Sequence, residues 1–209
     1  MKDQKFNYSS LKELRADLSK FKFKLPLTEN IEILKKEIKL KEKIIPNRIA
    51  IHPMEGADAN DDGAPSDLTR RRYKRFANGG AGLIWMEAIA VDECGRANQS
   101  QLYLKRENMN EFNKLIELIK NESEVAPYLV AQLTHSGRFG ENNIIAFRDS
   151  DLDPVSISEN DFHLITDSEL DQLQLDYLKA AELAAEAGFD AVDIKSCHRY
   201  LLSSLLAAF

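Results

Sequence analysis

The sequence predicts an α/β protein that is built on a parallel β-sheet. Three observations predict this fold class: apolar segments of strand length recur along the chain, helical segments separate them, and most of the apolar segments do not alternate with polar residues. Continuous apolar runs are typical of strands that are buried on both faces. Strands that alternate with helices indicate βα units. The predicted strands lie at 49–51, 82–91, 127–133 and 190–195.

A predicted helix follows each of these strands. Gly79 and Gly80 end the first helix, because glycine is common just after a helix C-terminus. Thr166 and Glu169 have the spacing of a capping box, which predicts that the third helix begins there. The predicted helices run from Ser66 or Asp67 to Asn78, over 111–121, from Thr166 to Gly188, and within 199–209.

Two further elements precede the first strand. Leu11, Leu14, Leu18 and Phe21 recur at helical spacing within residues 9–22, so that segment is predicted to be a short amphipathic helix that docks on a larger body. Apolar and charged residues then alternate up to the first strand. This alternation is typical of a half-exposed hairpin.

Length and composition favour one domain of ordinary size. The chain has 209 residues, of which 44% are hydrophobic, and this is enough to form a core. The formal net charge is -6 and the basic residues are spread out, so nucleic acid is not an expected partner. Cys94 and Cys197 lack metal-ligand spacing, so we expect reduced thiols and no zinc site. No segment resembles a signal peptide or a spanning helix, which predicts a cytoplasmic protein with no membrane partner.

Polar side chains gather where the four predicted strands end. Active sites of parallel α/β folds lie at the carboxyl ends of the strands, so these residues are the functional candidates. A single His or Gln at a strand end is more often a hydrogen-bonded structural residue, whereas a series at four equivalent edges favours a site. The candidates are His52, Pro53, Met54, Glu55, Glu87, Ala88, Gln132, His135, Lys195, His198 and Tyr200.

Four stretches of the chain, taken together, resemble one known family. They are IPNRIAIHPM, GAGLIWMEAIAVDECGR, AQLTHSGR and AAELAAEAGFDAVDIKSCHRYLL, and they occur in family order. They resemble the old yellow enzyme family of FMN-dependent NAD(P)H oxidoreductases, which are TIM barrels. The resemblance implies that residues 44–209 form about the first four βα units of a parallel (β/α)8 TIM barrel. It leaves residues 1–43 as an N-terminal lid made of an amphipathic helix and a hairpin.

The resemblance implies FMN as the cofactor and assigns the residues that contact it. Pro53 and Met54 match residues whose backbone faces the flavin ring, and Ala88 matches a small residue that lets the ring approach. Gln132 matches the glutamine at the pyrimidine edge, where an amide can both donate and accept hydrogen bonds. Glu55 matches a position that touches the flavin and is threonine or cysteine in many members. A carboxylate there should lower the flavin potential unless it is protonated or turned away.

The resemblance also implies three catalytic residues. Lys195 and His198 match the pair that binds the carbonyl oxygen of the substrate, where charge develops as hydride reaches the β-carbon. Tyr200 matches the tyrosine that gives a proton to the α-carbon. Lysine replaces the usual first histidine, and this predicts a substrate with a carboxylate or a strongly polarised carbonyl. The implied reaction passes hydride from NADH or NADPH to FMN, and then to an activated alkene or related electrophile.

Three arginines complete the list of positions that the resemblance brings into view. Arg199 stands where the family commonly has glycine, and there it narrows the pocket, recognises an acid group of the substrate, or points into solvent. Arg96 and Arg138 lie in family-like contexts, CGR and HSGR. We interpret both as residues that order loops through carboxylate or carbonyl contacts.

A TIM barrel has eight strands and ~250 residues, whereas four barrel strands are predicted in this chain. We therefore expect a half-barrel, without the strand-five arginine and the phosphate-binding loops of the family. It is a truncated piece, the product of a broken reading frame, or one half that a second chain or self-association completes. Two alternatives remain open. The first is a Schiff-base lyase that uses Lys195, activated by burial or by Arg199, although such an enzyme would not need Gln132. The second is a half-barrel fragment without catalysis.

Overall fold

The computed structural model describes residues 7–21, 24–151, 153, 158 and 161–208. The described helices are α1 (Leu11–Leu18), α2 (Asp67–Asn78), α3 (Met109–Glu122), α4 (Asp167–Ala187) and α5 (Leu201–Ala207). The described strands are β1 (Ile38–Leu40), β2 (Lys43–Ile45), β3 (Ala50–Ile51), β4 (Leu83–Ala90), β5 (Tyr128–Thr134), β6 (Ile144–Ile145), β7 (His163–Leu164) and β8 (Ala191–Ile194).

The main sheet has four parallel strands in the order β3-β4-β5-β8. Each of these strands is followed by a helix, so the predicted series of βα units is confirmed. The register pairs Ala88 with Gln132 and Gln132 with Asp193, which places the ends of three strands at one level. Strands β6 and β7 form a small parallel pair between β5 and α4.

The helices begin and end where local chemistry predicts. Ser66 accepts hydrogen bonds from the amides of Leu68 and Thr69 at the start of α2. Thr166 and Glu169 form the predicted capping box at the start of α4. Gly188 ends α4 in the left-handed region at φ 98, where a residue with a Cβ is strained.

The principal core lies between one face of the sheet and helices α2, α3 and α4. Ile84, Phe112 and Leu129 are fully buried there, and Leu183 of α4 joins the same cluster. Side chains alternate across a strand, so Val130 and Gln132 of β5 lie on the face opposite Leu129. That opposite face is the one that lines the inside of a closed barrel.

The burial predicted for the first strand is wrong. The side chain of Ile49 is 46% exposed, and β3 contains only Ala50 and Ile51. The physical reason is its position at the sheet edge, where it has β4 as its only neighbour among the described strands. The other edge behaves alike, because Val192 and Ile194 of β8 are 38% and 46% exposed.

The N-terminal elements match the predicted types. Helix α1 ends at Leu18, three residues before Phe21, and residue 22 is not among the described residues. No residue of α1 is buried. Strands β1 and β2 form the predicted antiparallel hairpin. Lys43 of β2 pairs with Asp190, which directly precedes β8, so the hairpin meets the amino end of the sheet. The division into a lid at 1–43 and a half-barrel at 44–209 stays a prediction, and residues 1–6 and 209 lie outside the described part.

The helices of the described ranges do not include one with the length and apolar composition that membrane crossing requires.

Candidate functional site

The segments that follow the two outer strands, β3 and β8, meet at the carboxyl ends of the strands. The loop after β3 carries Glu55, and the segment after β8 carries Lys195 and Tyr200. Lys195 extends β8 by one residue, because its amide donates to the carbonyl of Leu133 at 3.0 Å. These residues are far apart in sequence, yet the parallel sheet brings them together.

Glu55 is the centre of this cluster. Its Oε1 accepts a hydrogen bond from Lys195 Nζ at 2.9 Å and one from the Tyr200 hydroxyl at 3.5 Å. The side chain of Lys195 is 6% exposed and that of Glu55 is 27% exposed. Lys195 Nζ also lies 4.3 Å from the centre of the Tyr200 ring. A buried ammonium is costly unless it is paired, and Glu55 supplies the opposite charge.

Tyr200 is held in its protonated form. Burial is the main cause, and the negative charge of Glu55 adds to it, so that the pKa of Tyr200 is raised to about 12. A phenol with this pKa is uncharged at neutral pH and can donate a proton or a hydrogen bond.

His198 lies beside Tyr200, with 6.3 Å between the ring centres, and its side chain is exposed. Its Nδ1 is 2.9 Å from the sulfur of Cys197. His198 and Arg199 both have left-handed backbones, at φ 62 and φ 59. This conformation costs a non-glycine residue roughly 1–3 kcal/mol, which accounts for the glycine that the resemblance expects at position 199. The guanidinium of Arg199 lies over the ring of Phe139 at 5.3 Å.

The residues assigned to the cofactor lie along the same edge. Gln132 is 7% exposed, and its amide nitrogen donates to Asp193 Oδ2 at 2.8 Å. Ala88 is 1% exposed, and its methyl group adds little bulk beside Gln132. Pro53 is half-buried, whereas Met54 is 79% exposed. The resemblance assigns the small side chain of Ala88, the amide of Gln132, and Pro53, Met54 and Glu55 to the flavin ring, and this assignment stays a prediction.

A buried charge network that the sequence did not predict fixes the loop that carries Glu55. Glu87 is 3% exposed, and its two oxygens accept from the Gly56 amide and from Arg72, both at 2.7 Å. Arg72 also donates to Asp58 at 2.8 Å. Burial raises the pKa of Glu87, although the Gly56 amide and Arg72 partly offset this effect. Glu87 was recognised as a strand-end residue, but nothing in the sequence indicated Arg72 as its partner.

Asp193 is a second residue that the sequence analysis missed. It follows Val192 in an apolar strand, and a carboxylate inside such a strand was the available signal. The register of β5 and β8 places it opposite Gln132, and the hydrogen bond between them orients the glutamine amide.

Other polar candidates have structural roles. His135 is 3% exposed, its Nδ1 accepts from the Gly137 amide at 3.1 Å, and burial lowers its pKa, so it is a neutral core residue. Arg96 donates to the carbonyl of Asp61 at 2.9 Å. Arg138 pairs with Asp153 and is 1% exposed. Both arginines order loops as expected. The described residues contain no group of three or more His, Cys, Asp or Glu side chains that could hold a metal ion.

The chain matches one protein family and is similar to curated NADPH dehydrogenases along most of its length. Residues 34–208 match the NADH:flavin oxidoreductase / NADH oxidase family. The NADPH dehydrogenase of Listeria monocytogenes serotype 4b (strain CLIP80459) is 33% identical over 180 residues, which are 82% of this chain and 50% of that protein. The NADPH dehydrogenase of Bacillus subtilis (strain 168) is 30% identical over 179 residues, which are 81% of this chain and 50% of that protein.

Solved structures show the same fold. The old yellow enzyme of Pichia sp. AKU4542 has a TM-score of 0.71 at 23% identity, over 82% of this chain and 47% of that one. The old yellow enzyme of Trypanosoma cruzi has a TM-score of 0.67 at 21% identity, over 82% of this chain and 53% of that one. These neighbours are TIM barrels, so the four-stranded parallel sheet is part of such a barrel. The chain spans about half the length of the curated relatives that it matches, and it belongs to the NADH:flavin oxidoreductase / NADH oxidase family of oxidoreductases.

Proposed function

We propose that the protein carrying this chain is an FMN-dependent NAD(P)H oxidoreductase that reduces an activated alkene or a related electrophile. The observation that carries the proposal is the arrangement of Lys195, Tyr200 and Gln132 at one edge of the sheet. Two relatives, 33% and 30% identical to this chain, are named NADPH dehydrogenases, which supports a nicotinamide hydride donor. FMN would supply the hydride chemistry, because it accepts hydride from NADH or NADPH and passes it to a second substrate.

The chain's own residues would bind and protonate the substrate. Lys195 has three N–H donors, so it can donate to a carbonyl oxygen while it keeps its hydrogen bond to Glu55. A donor fixed in a buried site stabilises the negative charge that develops on that oxygen. Tyr200, protonated at neutral pH, would give a proton to the α-carbon. His198 is proposed as the second donor, which requires its exposed ring to turn towards the substrate.

A Schiff-base lyase is less well supported. Such an enzyme needs the Lys195 amine free to attack a carbonyl carbon, whereas Lys195 Nζ is engaged by Glu55 Oε1 at 2.9 Å. Arg199, the residue expected to activate the lysine, lies over Phe139 instead. Treatment with a carbonyl substrate and borohydride separates the two functions, because only the lyase leaves a covalent adduct on Lys195.

Cofactor binding is proposed to require the rest of a barrel. No strand of the described ranges pairs with the outer edge of β8, and an apolar groove of about 600 Å³ lies beside it, between α4 and α5. Leu178, Ile194 and Leu205 line this groove, and Leu178 is 62% exposed. Exposed apolar surface next to an unpaired strand edge favours covering by another polypeptide segment. A second chain, a second copy or further sequence of the same protein would supply this segment.

The cytoplasm is the proposed compartment.

The visible spectrum after incubation with FMN and desalting tests the proposal. The chain is measured alone and after co-expression with the second half of the Bacillus subtilis NADPH dehydrogenase. Flavin absorbance retained in either sample, reduced by NADPH or NADH and reoxidised by an enone, supports the function. Ile194→Asp is the matched variant, since a charge at the open edge should prevent completion. A colourless protein in both samples favours the half-barrel without catalysis.

A further inference from the structure

Glu55 and Lys195 form an ion pair at the position where the proposed function places the substrate's carbonyl oxygen. Their contact joins the loop after β3 to the segment after β8, at 2.9 Å between Nζ and Oε1. Lys195 is 6% exposed, so its charge is compensated inside the protein rather than by water. The pair as a whole is neutral.

This pairing treats charged and neutral ligands differently. A carboxylate that approaches Lys195 meets Glu55 on the same ammonium, and two carboxylates at one site repel each other. To bind, it must displace Glu55, and Glu55 would then keep its charge in a half-buried position without its partner. A neutral carbonyl needs no displacement, because Lys195 has further N–H donors.

Among the residues that the structure describes, the remaining charged groups near the cluster do not offer an equivalent anion site. Asp193 is engaged by the amide of Gln132 at 2.8 Å and would itself repel an anion. The guanidinium of Arg199 lies over the Phe139 ring, and its side chain is exposed. His198 is exposed and lies beside Cys197. Lys195 is therefore the buried cation of this cluster, and its charge is already paired with the carboxylate of Glu55.

We propose that Glu55 determines the charge selectivity of this site: by pairing with Lys195 it excludes substrates activated by a carboxylate and admits those activated by a neutral carbonyl. The inference rests on the proposed function, since it assigns Lys195 to the substrate's activating group. Lys195 alone predicts a substrate with either a carboxylate or a strongly polarised carbonyl, and the pairing with Glu55 favours the carbonyl. Glu55→Gln removes the carboxylate and keeps a side chain of similar size, so the ammonium of Lys195 becomes able to bind an anion.

Two probes with the same ring, cyclohexenone and cyclohexenecarboxylate, test this inference in the FMN-treated protein with its barrel completed. Binding is measured by ligand line broadening in NMR, which needs neither flavin absorbance nor turnover. The native protein should prefer the ketone. Glu55→Gln should tighten carboxylate binding by about tenfold or more, as expected for a charge-assisted hydrogen bond, and should change ketone binding by less than about threefold.

Glu93→Gln is the matched control, because Glu93 is an exposed carboxylate on the loop after β4 and its loss removes the same charge. Carboxylate binding by the native protein at least as tight as ketone binding would overturn the inference. An equal gain for both probes in Glu55→Gln, or an equal gain in Glu93→Gln, would also overturn it. Retention and reduction of FMN report separately on the proposed function, so a colourless protein with the expected inversion of selectivity refutes the function alone.

Discussion

The contact between Glu55 and Tyr200 predicts a measurable change in the acidity of the phenol. Glu55→Gln removes the negative charge next to the hydroxyl and keeps a side chain of similar size. It also releases Lys195, whose ammonium lies 4.3 Å from the ring centre. Both effects favour the phenolate, so the pKa of Tyr200 should fall.

The structure sets the size of this fall. The pKa of Tyr200 is raised from 10.0 to about 12, with burial as the largest cause and Glu55 as the next. Burial remains in the variant, so we expect the pKa to fall below about 12 and to stay above the ordinary value of 10.0. The folded-state pKa exceeds the ordinary one. Protonated Tyr200 therefore contributes stability that is fully present below pH 10 and is lost as the pH rises to about 12.

The assay is a titration of phenolate absorbance in the near ultraviolet. The chain has six tyrosines, so each curve is corrected by subtracting the curve of the same protein with Tyr200→Phe. Glu93→Gln controls for the loss of one negative charge and should leave the Tyr200 transition in place. An unchanged or higher pKa in Glu55→Gln would refute the contact between the two side chains.

Three further predictions concern the scaffold that positions the site, and each is measured as a change in the free energy of unfolding in urea. Thr166→Ala should cost about 1 kcal/mol by removing the cap of α4, whereas Ser168→Ala, in the exposed first turn, should cost less than about 0.5 kcal/mol; equal losses would contradict the capping role. Phe112→Ala should cost about 3–5 kcal/mol because Phe112 is fully buried, while Leu68→Ala, 59% exposed, should cost less than about 1 kcal/mol, and a small loss at Phe112 would contradict the assigned core. Gly188→Ala should cost about 1 kcal/mol or more because φ is 98, and a stabilising effect would contradict the left-handed cap.

The helices and the strands of the parallel sheet were predictable because their signals are local, whereas the TIM barrel was implied by the family resemblance. Capping residues fix the start of α4, and continuous apolar runs mark β4 and β5. The burial of β3 was predicted wrongly because the exposure of a strand depends on whether strands pair with it on both sides. The apolar residues around Ile49 do not indicate the position of the strand in the sheet. The same reason explains the exposure of Ile194 at the other edge.

The site was predictable as a set of positions and not as a set of contacts. The order of motifs was enough to place Gln132, Lys195 and Tyr200 at one edge of the sheet. The hydrogen bond between Lys195 and Glu55 spans 140 residues of sequence, and it depends on how two loops bend after their strands end. The network of Glu87 with Arg72 was hidden for the same reason, since a helix residue and a strand end meet only in the folded chain.

Glu55 and Lys195 are two departures from the family pattern, and the structure makes them one feature. A lysine in this buried position without Glu55 would be an uncompensated charge, and a carboxylate without Lys195 would stand unpaired beside the proposed flavin. Each departure is tolerable because the other accompanies it. Glu55→Thr and Lys195→His each replace one residue by the family's usual one, and each single variant leaves one charge without its partner. Each should therefore lower the free energy of unfolding. The loss in the double variant should be smaller than the sum of the two single losses, and simple additivity would show that the two positions changed independently.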